Sequence, residues 1–446
     1  MKYRNLLFIF LLSVFASCSK DPELEPDTPP STFKVRIDNV IHETYFDSYP
    51  QGPSLFVPYL VMSGLPEGEK LLAFGGYYSP ENPNPDGSDY TFIRDCADDE
   101  LIQGWDWTQE LIYSAGWIDL PIPGKTYYFK GVVRTNKAVY YSNTVTINTD
   151  GLPGYTPGPQ DRVLPVVFHV MPRKDGTYPH PYFFDEMLAC ANRLYRNVWP
   201  LPGLADAGIR FVPATHTPDG TALSTPGIHY LDERYELDLD ISNEELRQWV
   251  GDNLWEMTEV INVWVSPFIN DDIVSEGTRT AGFTFLPYFA PEEMLQGCNT
   301  AVPGCFSGIF LNLEEVVGNG YCNAGIAAFA HEAGHYLGLD HVFEEDWCDD
   351  TPQYDRARYR TEQYIPGIDT YLRYPIDASA EPYTALNVMD YDIVIYSGIT
   401  PQQAERVHYT LQHACLVPGG KPLPGNMKSC AGPAPKVMYS SFGFRY

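Results

Sequence analysis

Two patterns of hydrophobic and polar positions divide the chain. Between residues 33 and 150, short runs that alternate apolar and polar residues, such as FKVRIDNV (33–40) and TYYFKGVVRT (126–135), are separated by turns rich in Gly, Pro, Asn and Asp. Such alternation is typical of strands that bury one face. Residues 33–150 are therefore predicted to form an all-β sandwich. The stretch GLPGYTPGPQD (151–161) that follows is predicted to be a linker.

From residue 162 the pattern alternates between strand and helix. Apolar, β-branched runs predict strands at 163–171, 208–214, 260–268, 282–288 and 307–313. Apolar residues at helical spacing predict a helix at 182–198, and an alanine-rich segment predicts another at 323–339. Capping residues at their first positions predict helices at 242–255 and 399–407. Ser242 and Glu245 form a predicted capping box, as do Thr400 and Gln403. Residues 162–446 are therefore predicted to form an α/β (α+β) domain built on a twisted sheet.

The first residues carry the pattern of an export signal. Basic residues precede the apolar run LLFIFLLSVFA, which is too short to span a bilayer. The small residues before Cys18 resemble a bacterial lipobox, with Phe15 where Leu is more usual, and that resemblance implies cleavage before Cys18 and a lipid on its thiol. Residues 1–17 are thus predicted to be a signal peptide and 18–32 a lipid-anchored tether. The alternative is a soluble secreted protein that is cut nearby.

This export pattern predicts a location at the outer membrane or cell surface of a Gram-negative bacterium. The 58 acidic and 29 basic residues give a formal net charge of -29, which repels nucleic acid and excludes it as an expected partner. Eight cysteines remain besides Cys18. An even number in an exported chain predicts disulfide bonds, although spacing alone leaves their pairing open.

The strongest chemical signal is HEAGHYLGLDH (331–341). His331 and His335 lie one turn apart on the same face of the predicted helix, which is the spacing that two ligands of one zinc ion require. Glu332, the neighbour of the first histidine, can reach a water at the metal without being a ligand itself.

The rest of this motif predicts a third ligand. Gly338 allows the left-handed backbone that ends a helix, so the chain turns and returns His341 to the metal. Three histidines leave a fourth position for water, which is typical of a catalytic rather than a structural zinc site.

The motif HExxHxxGxxH, together with ALNVMDYD (385–392), resembles the signature and the Met-turn of the metzincin peptidases, with Met389 as the turn residue. The resemblance narrows to the pappalysin family and covers about residues 162–415. It is carried by segments in matching order: LPVVFHV (164–170), GIRFVPA (208–214), INVWV (261–265), GIFLN (308–312), CDDTPQ (348–353) and ITPQQAERV (399–407). The segment DIVIYSG (392–398) departs from the family because it lacks the Cys often found there.

The resemblance implies a metzincin-like catalytic domain with an active-site helix, acting as a zinc metalloendopeptidase on a protein or peptide substrate that lies along a sheet-edge strand. The residues to which it assigns roles are the zinc ligands His331, His335 and His341, the general base Glu332, the transition-state stabiliser Tyr391, and Met389 as an apolar floor below the ligands. Asp349, Asp350 and Thr351 correspond to loops that bind calcium in relatives. The alternative for Tyr391 is a tyrosine that only packs in the core. The alternative for residues 349–351 is an acidic loop that is simply solvated.

Three further interpretations stay open. Residues 120–149 resemble the last strands of a fibronectin type III or immunoglobulin-like module, so the whole chain could instead be a non-catalytic, zinc-stabilised surface protein that binds protein or glycan. Cys96 is either a buried thiol or a cysteine switch that caps the zinc. Asp390 and Asp392, beside the Met-turn, suggest a preference for a basic residue after the scissile bond.

Overall fold

The computed structural model describes most of the chain. The described residues are 32–45, 51–239, 243–269, 280–298, 307–317, 322–362, 371–391, 394–421 and 437–440. The predicted signal peptide, Cys18 and nearly all of the tether lie outside these residues, as do Ser242 and Asp392. No helix within the described ranges has the length and apolar character needed to cross a membrane.

Residues 34–148, here called the N-terminal module, form two antiparallel four-stranded sheets. Their elements are β1 (Lys34–Thr44), β2 (Ser54–Ser63), β3 (Leu71–Ser79), β4 (Tyr90–Asp95), α1 (Glu100–Gln103), β5 (Leu111–Ser114), β6 (Ile118–Asp119), β7 (Thr126–Thr135) and β8 (Val139–Asn148). One sheet has the order β1-β2-β5, with β6 paired to β2, and the other has the order β4-β3-β7-β8. A Cβ atom on Gly131 of β7 would lie 2.3 Å from Cδ1 of Leu60 of β2, so the Leu60 side chain of one sheet packs directly on the backbone of the other.

The rest of the described chain alternates helices and strands, as predicted. Its elements are β9 (Arg162–Val170), α2 (Tyr182–Tyr195), β10 (Ile209–Pro213), β11 (Ile228–Tyr230), β12 (Leu237–Asp238), α3 (Asn243–Val250), β13 (Ile261–Ser266), β14 (Phe268–Ile269), β15 (Gly282–Phe285), β16 (Ile309–Asn312), α4 (Leu313–Val316), α5 (Cys322–Tyr336), α6 (Arg356–Glu362), β17 (Leu372–Arg373), β18 (Tyr383–Thr384), α7 (Pro401–His413) and β19 (Val437–Ser440).

A seven-stranded mixed sheet organises this second region. Its order is β10-β9-β13-β16-β15-β19, and the short strand β11 also pairs with β9. The strands β10, β9, β13 and β16 are parallel, whereas β15 and β19 run antiparallel to their neighbours. Every residue of β13 and β16 is buried, as expected of strands covered on both faces.

Three predicted elements differ in length from the expectation, two of them for local reasons. The helix predicted at 242–255 ends at Val250, because Gly251 has a left-handed φ of 48°. The strand predicted at 282–288 ends at Phe285, two residues before Pro287, which has no N–H to donate to a ladder. The helix predicted at 399–407 continues to His413, and its predicted capping box is confirmed.

The prediction of disulfide bonds is not supported at four of the eight cysteines. Cys96, Cys190, Cys348 and Cys415 are buried free thiols. Burial raises the pKa of the Cys96, Cys190 and Cys348 thiols to about 12, which keeps them protonated. These cysteines therefore pack as small hydrophobic residues, a frequent role for a buried thiol.

Helix α2 joins the N-terminal module to the second region. The Tyr127 hydroxyl donates to Oε1 of Glu186 at 2.7 Å, and the Tyr182 hydroxyl donates to Oδ1 of Asp89 at 2.7 Å. The Arg193 guanidinium donates to the backbone carbonyls of two residues that follow β6, including that of Pro121 at 2.8 Å. The hydrophobic core runs through this junction without a break.

Candidate metal centre

The helix that carries the histidine motif, α5, is buried from residue 325 to its end. In α5 the alanines at 327, 328, 330 and 333 are all inaccessible to solvent, and their high helix propensity suits a segment that must pack tightly on several sides. The Tyr195 hydroxyl of α2 donates to the Ala330 carbonyl at 2.9 Å, one residue before His331. Thus α2 contacts the backbone of α5 directly beside the first candidate ligand.

A Schellman turn ends α5 and redirects the chain, as Gly338 predicts. Gly338 has a φ of 90°, its N–H donates to the His335 carbonyl at 2.9 Å, and the Leu339 N–H donates to the Gly334 carbonyl at 2.9 Å. The Arg406 side chain of α7 donates to the Gly338 carbonyl at 2.9 Å and holds the turn from outside. This turn returns His341 to the metal side of the helix.

The three histidines converge as the spacing predicts. The His335 Nε2 atom lies 3.1 Å from Nε2 of His331 and 3.0 Å from Nε2 of His341. Within the described part of the chain, these residues form the only group of three His, Cys, Asp or Glu side chains that could hold one ion. Tetrahedral zinc with Zn–N bonds of about 2.0 Å separates its nitrogen ligands by about 3.3 Å, so the observed spacing fits zinc.

Hydrogen bonds set the protonation of these imidazoles. The His331 Nδ1–H donates to the Val388 carbonyl at 2.7 Å, and the His335 Nδ1–H donates to the Leu339 carbonyl at 2.8 Å. A proton on Nδ1 leaves the Nε2 lone pair for a metal. Burial also lowers the pKa of His331 to about 4, which keeps that ring neutral. Two of the three candidate ligands, His331 and His335, are thus held in the tautomer that suits a zinc ion.

Glu332 lies at the junction between α5 and the sheet. It is fully buried, and a Cβ atom on Gly282 of β15 would lie 3.1 Å from Glu332 Cγ and 2.9 Å from the Phe310 carbonyl oxygen. Only glycine lets β15 come this close to the Glu332 side chain. The consequence is that the carboxylate-bearing side chain adjoins both the histidine helix and strand β15.

Met389 lies directly below the histidine helix. It is fully buried, and a Cβ atom on Gly334, the residue before His335, would lie 2.2 Å from Met389 Sδ. The preceding residue, Val388, supplies the carbonyl that binds His331. The segment that resembles a Met-turn therefore both packs under the helix and orients one candidate ligand.

Tyr391 lies beside the candidate ligands. Its ring centroid is 4.5 Å from that of His341 and 5.3 Å from that of His331. The Arg356 guanidinium lies 4.7 Å from the centroid of the Tyr391 ring. The ring is 4% exposed, so it is held by packing at the edge of the metal centre.

A buried ion pair supports Tyr391, and the sequence did not reveal it. The Arg373 Nε atom lies 3.1 Å from Asp390 Oδ2, and the Nη2 atom of Arg373 donates to the Tyr391 carbonyl at 3.0 Å. Asp390 Oδ1 accepts hydrogen bonds from the Tyr354 hydroxyl at 2.5 Å and from the Tyr391 N–H at 2.7 Å. The suggestion that Asp390 selects a basic substrate residue is wrong, because Arg373 already neutralises this buried carboxylate.

The residues considered for calcium serve other contacts. Asp350 accepts hydrogen bonds from the Thr400 hydroxyl at 2.7 Å and from the Gln402 N–H at 2.9 Å, both at the start of α7. The Thr351 hydroxyl donates to Asp346 at 2.5 Å, and the Asp349 N–H donates to the Gln402 side chain at 2.8 Å. This loop thus attaches to α7, and calcium binding there remains a prediction from the sequence.

Cys96 belongs to the core of the N-terminal module. It is 2% exposed, and its carbonyl accepts a hydrogen bond from the Gln103 side chain. Of the two interpretations of Cys96, the buried thiol agrees with this position, because a cysteine switch must be free to reach the metal.

Comparison with known families and structures agrees with this geometry. Residues 244–412, less than half of the chain, match the model of the peptidase M43 family, which is described as pregnancy-associated plasma protein-A. The match contains the three histidines, Glu332, Met389 and Tyr391. No curated protein matches the chain.

Among solved structures, the chain is similar to mirolysin from Tannerella forsythia. Mature mirolysin in complex with a cleaved peptide has 18% identity and a TM-score of 0.41, and the alignment covers 57% of this chain and 93% of mirolysin. A mutant of promirolysin has 18% identity and a TM-score of 0.40, with 58% and 83% covered. Both TM-scores are low. The assignment of the chain as a metallopeptidase therefore rests on the family match and on the geometry of the histidines.

Proposed function

We propose that this zinc metallopeptidase is an endopeptidase that cleaves extracellular or periplasmic proteins. The family match over residues 244–412 and the three converging histidines support the proposal. The observation that carries the proposal is the position of Glu332. This buried carboxylate belongs to the residue next to His331, and its side chain adjoins the backbone of β15. A base between a metal centre and a strand is the arrangement that hydrolysis of an extended peptide requires.

His331, His335 and His341 would hold the zinc ion through their Nε2 atoms. Zinc, when bound, polarises the scissile carbonyl and lowers the pKa of the attacking water. Glu332 takes the proton of that water and passes it to the leaving amine, so a single carboxylate serves both halves of the reaction. The Tyr391 hydroxyl donates a hydrogen bond to the oxyanion that develops on the former carbonyl.

Strand β15 would bind the substrate backbone. Its far edge, away from β16, is the edge on which an extended peptide would form an antiparallel ladder. Backbone pairing would give affinity without selecting particular side chains, and pockets for alternate side chains would add specificity. This arrangement suits cleavage within a chain rather than at its ends.

The decisive experiment separates metal binding from turnover. We expect Glu332→Ala to keep one zinc per chain, by elemental analysis, and to lose turnover of casein, since Glu332 is a base and not a ligand. The exposed Glu345→Ala is the matched control and should retain both properties. Chelation should abolish turnover of the parental protein. Peptides blocked at both ends should still be cut, as an endopeptidase requires.

A non-catalytic, zinc-stabilised surface protein is the alternative that the N-terminal module favours, because such sandwiches often bind protein or glycan. The same experiment decides between the two. Zinc-bound parental protein that cleaves none of the casein or blocked peptides would contradict an endopeptidase and support a binding protein.

We further propose that the mature protein is anchored to the outer membrane or cell surface through a lipid on Cys18. The support is the apolar run followed by small residues before Cys18. Cys18→Ala should move the protein from the membrane fraction to the soluble fraction. Unchanged membrane association in that variant would point to a different anchor.

A further inference from the structure

The edge of β15 that the proposed function assigns to substrate is paired with a segment of this same chain. Strand β19 lies antiparallel along it, with Phe285 opposite Val437 and Gly282 opposite Ser440. The other edge of β15 pairs with β16. Both edges of the strand are thus in use.

This edge leads directly to the metal centre. Gly282 adjoins the Glu332 side chain, and helix α5 packs against both β15 and β19. Any strand paired at Gly282 therefore passes beside the general base. Ser440 occupies the position in the ladder where the backbone of a substrate would lie next to Glu332.

We propose that Val437–Ser440 is an internal occupant of the substrate strand position and holds the peptidase in an autoinhibited state. This inference rests on the proposed function, since it takes the β15 edge as the place of the substrate. Each N–H and C=O along a strand edge takes one place in a ladder, so β19 and a substrate cannot pair with β15 together. The segment must leave before an extended peptide can bind.

The covalent connection makes this competition effective. Residues 422–436 connect β19 to the segment after α7, which ends the preceding described range at Lys421. A short tether of this kind gives a local concentration in the millimolar range. Four residues of strand pairing can therefore compete with a substrate in free solution, although the same short peptide would bind weakly on its own.

The first test removes the occupant. A variant that ends at Lys421 should show a kcat/KM for blocked peptides at least about tenfold higher than that of the full chain, mostly through a lower KM. The size follows if the segment occupies the edge about nine-tenths of the time, because the apparent affinity falls with the competent fraction. A KM equal to that of the full chain would overturn the proposal.

Proline variants test the strand pairing without truncation. Neighbouring residues of an edge strand point their N–H groups in opposite directions, so only one of Met438→Pro and Tyr439→Pro removes a ladder donor toward β15. One of the two variants should therefore lower KM more than the other. Parental KM values in both would contradict occupation of the edge by this segment.

A binding measurement keeps this proposal separate from catalysis. A fluorescent peptide of residues 436–441, KVMYSS, is titrated into Glu332→Ala proteins with and without residues 422–446. Binding at least about tenfold tighter to the shortened protein supports the occupant, whatever the turnover. Equal binding to both overturns it. Preferential binding together with a lack of turnover in every protein that retains Glu332 would reject the proposed endopeptidase function alone.

Discussion

At the scale of single residues, the candidate metal centre depends on side chains that fix the backbone beside it. Tyr391 sits beside His341 because the backbone on either side of it is fixed: Asp390 accepts its N–H and Arg373 donates to its carbonyl. A phenol held in this way needs little rearrangement to reach a developing oxyanion, which is the condition for strong electrostatic catalysis.

We therefore expect Tyr391→Phe to lower kcat by roughly 10²–10³, with a much smaller change in KM. Zinc content should stay at the parental level, because the histidines are untouched, and the ring that packs on His341 is retained. Steady-state kinetics on one blocked peptide is the measurement.

Tyr383→Phe is the matched control for this prediction. It also removes one hydroxyl, which donates to the Pro352 carbonyl at 2.7 Å, but that hydroxyl has no place in the proposed mechanism. An unchanged kcat in Tyr391→Phe would make Tyr391 a packing residue.

At the scale of elements, strand β9 carries an imidazole that is held neutral. His169 is fully buried, stacks on Trp264 with ring centroids 5.3 Å apart, and lies 3.0 Å from both Asn262 Oδ1 and His229 Nδ1. Burial lowers the pKa of His169 to about 3. His229, the titratable group that faces it, also has a lowered pKa through burial, which nearby Asp232 partly opposes.

The sign of the resulting pH dependence follows from linkage. An unfolded histidine titrates near pH 6.5, so between about pH 6.5 and pH 3 the unfolded state binds more protons than the folded state. The stability contributed by neutral His169 is complete above the unfolded pKa and is lost as the pH falls below it. Between pH 7.5 and pH 5.0 this residue alone should lower the free energy of unfolding by about 2 kcal/mol.

We expect His169→Gln to reduce that pH dependence. Glutamine keeps a polar group near Asn262 but does not titrate, so the difference between the unfolding free energies at pH 7.5 and pH 5.0 should shrink by about 2 kcal/mol relative to the parental protein. Urea unfolding at the two pH values measures it. If the unfolding free energy changed equally between the two pH values in both proteins, His169 would be able to accept a proton in the folded state without loss of stability.

At the scale of the whole molecule, the N-terminal module and the peptidase region form one packed unit. Helix α2 contacts the module through Tyr182, Glu186 and Arg193, and it contacts the histidine helix through Tyr195. Buried hydrogen bonds and a continuous apolar core connect the two regions. The module therefore supports the helix that carries the candidate metal ligands.

This contact predicts that the two regions stay together after the chain between them is cut. A specific protease site placed between the exposed residues Thr156 and Pro157 should be cleavable, yet both fragments should elute together in size exclusion chromatography. Arg193→Ala should weaken their association, because it leaves the carbonyls after β6 without their donors, each loss costing about 1–3 kcal/mol. The exposed Arg358→Ala is the control. Separation of the parental fragments would show that the module is an independent domain.

The sequence by itself determined those features of this protein that depend on residues close together along the chain. The spacing of His331, His335 and His341 predicted their convergence, because a helix of 3.6 residues per turn and a glycine turn have fixed geometries. The order of strands and helices, and the capping box of α7, follow from the same short-range rules.

Only the tertiary structure decided which distant segments meet. No local pattern in the sequence connects Arg373 with Asp390. Strand β17 brings Arg373 beside the segment that contains Met389, and the resulting ion pair changes Asp390 from a specificity candidate into a support for Tyr391. The contact of α2 with the module and the pairing of β19 with β15 are likewise absent from the local pattern. The reason is physical. Hydrophobic periodicity indicates which face of a helix or strand is buried, whereas the packing and hydrogen bonding of the whole fold determine which distant segments pair.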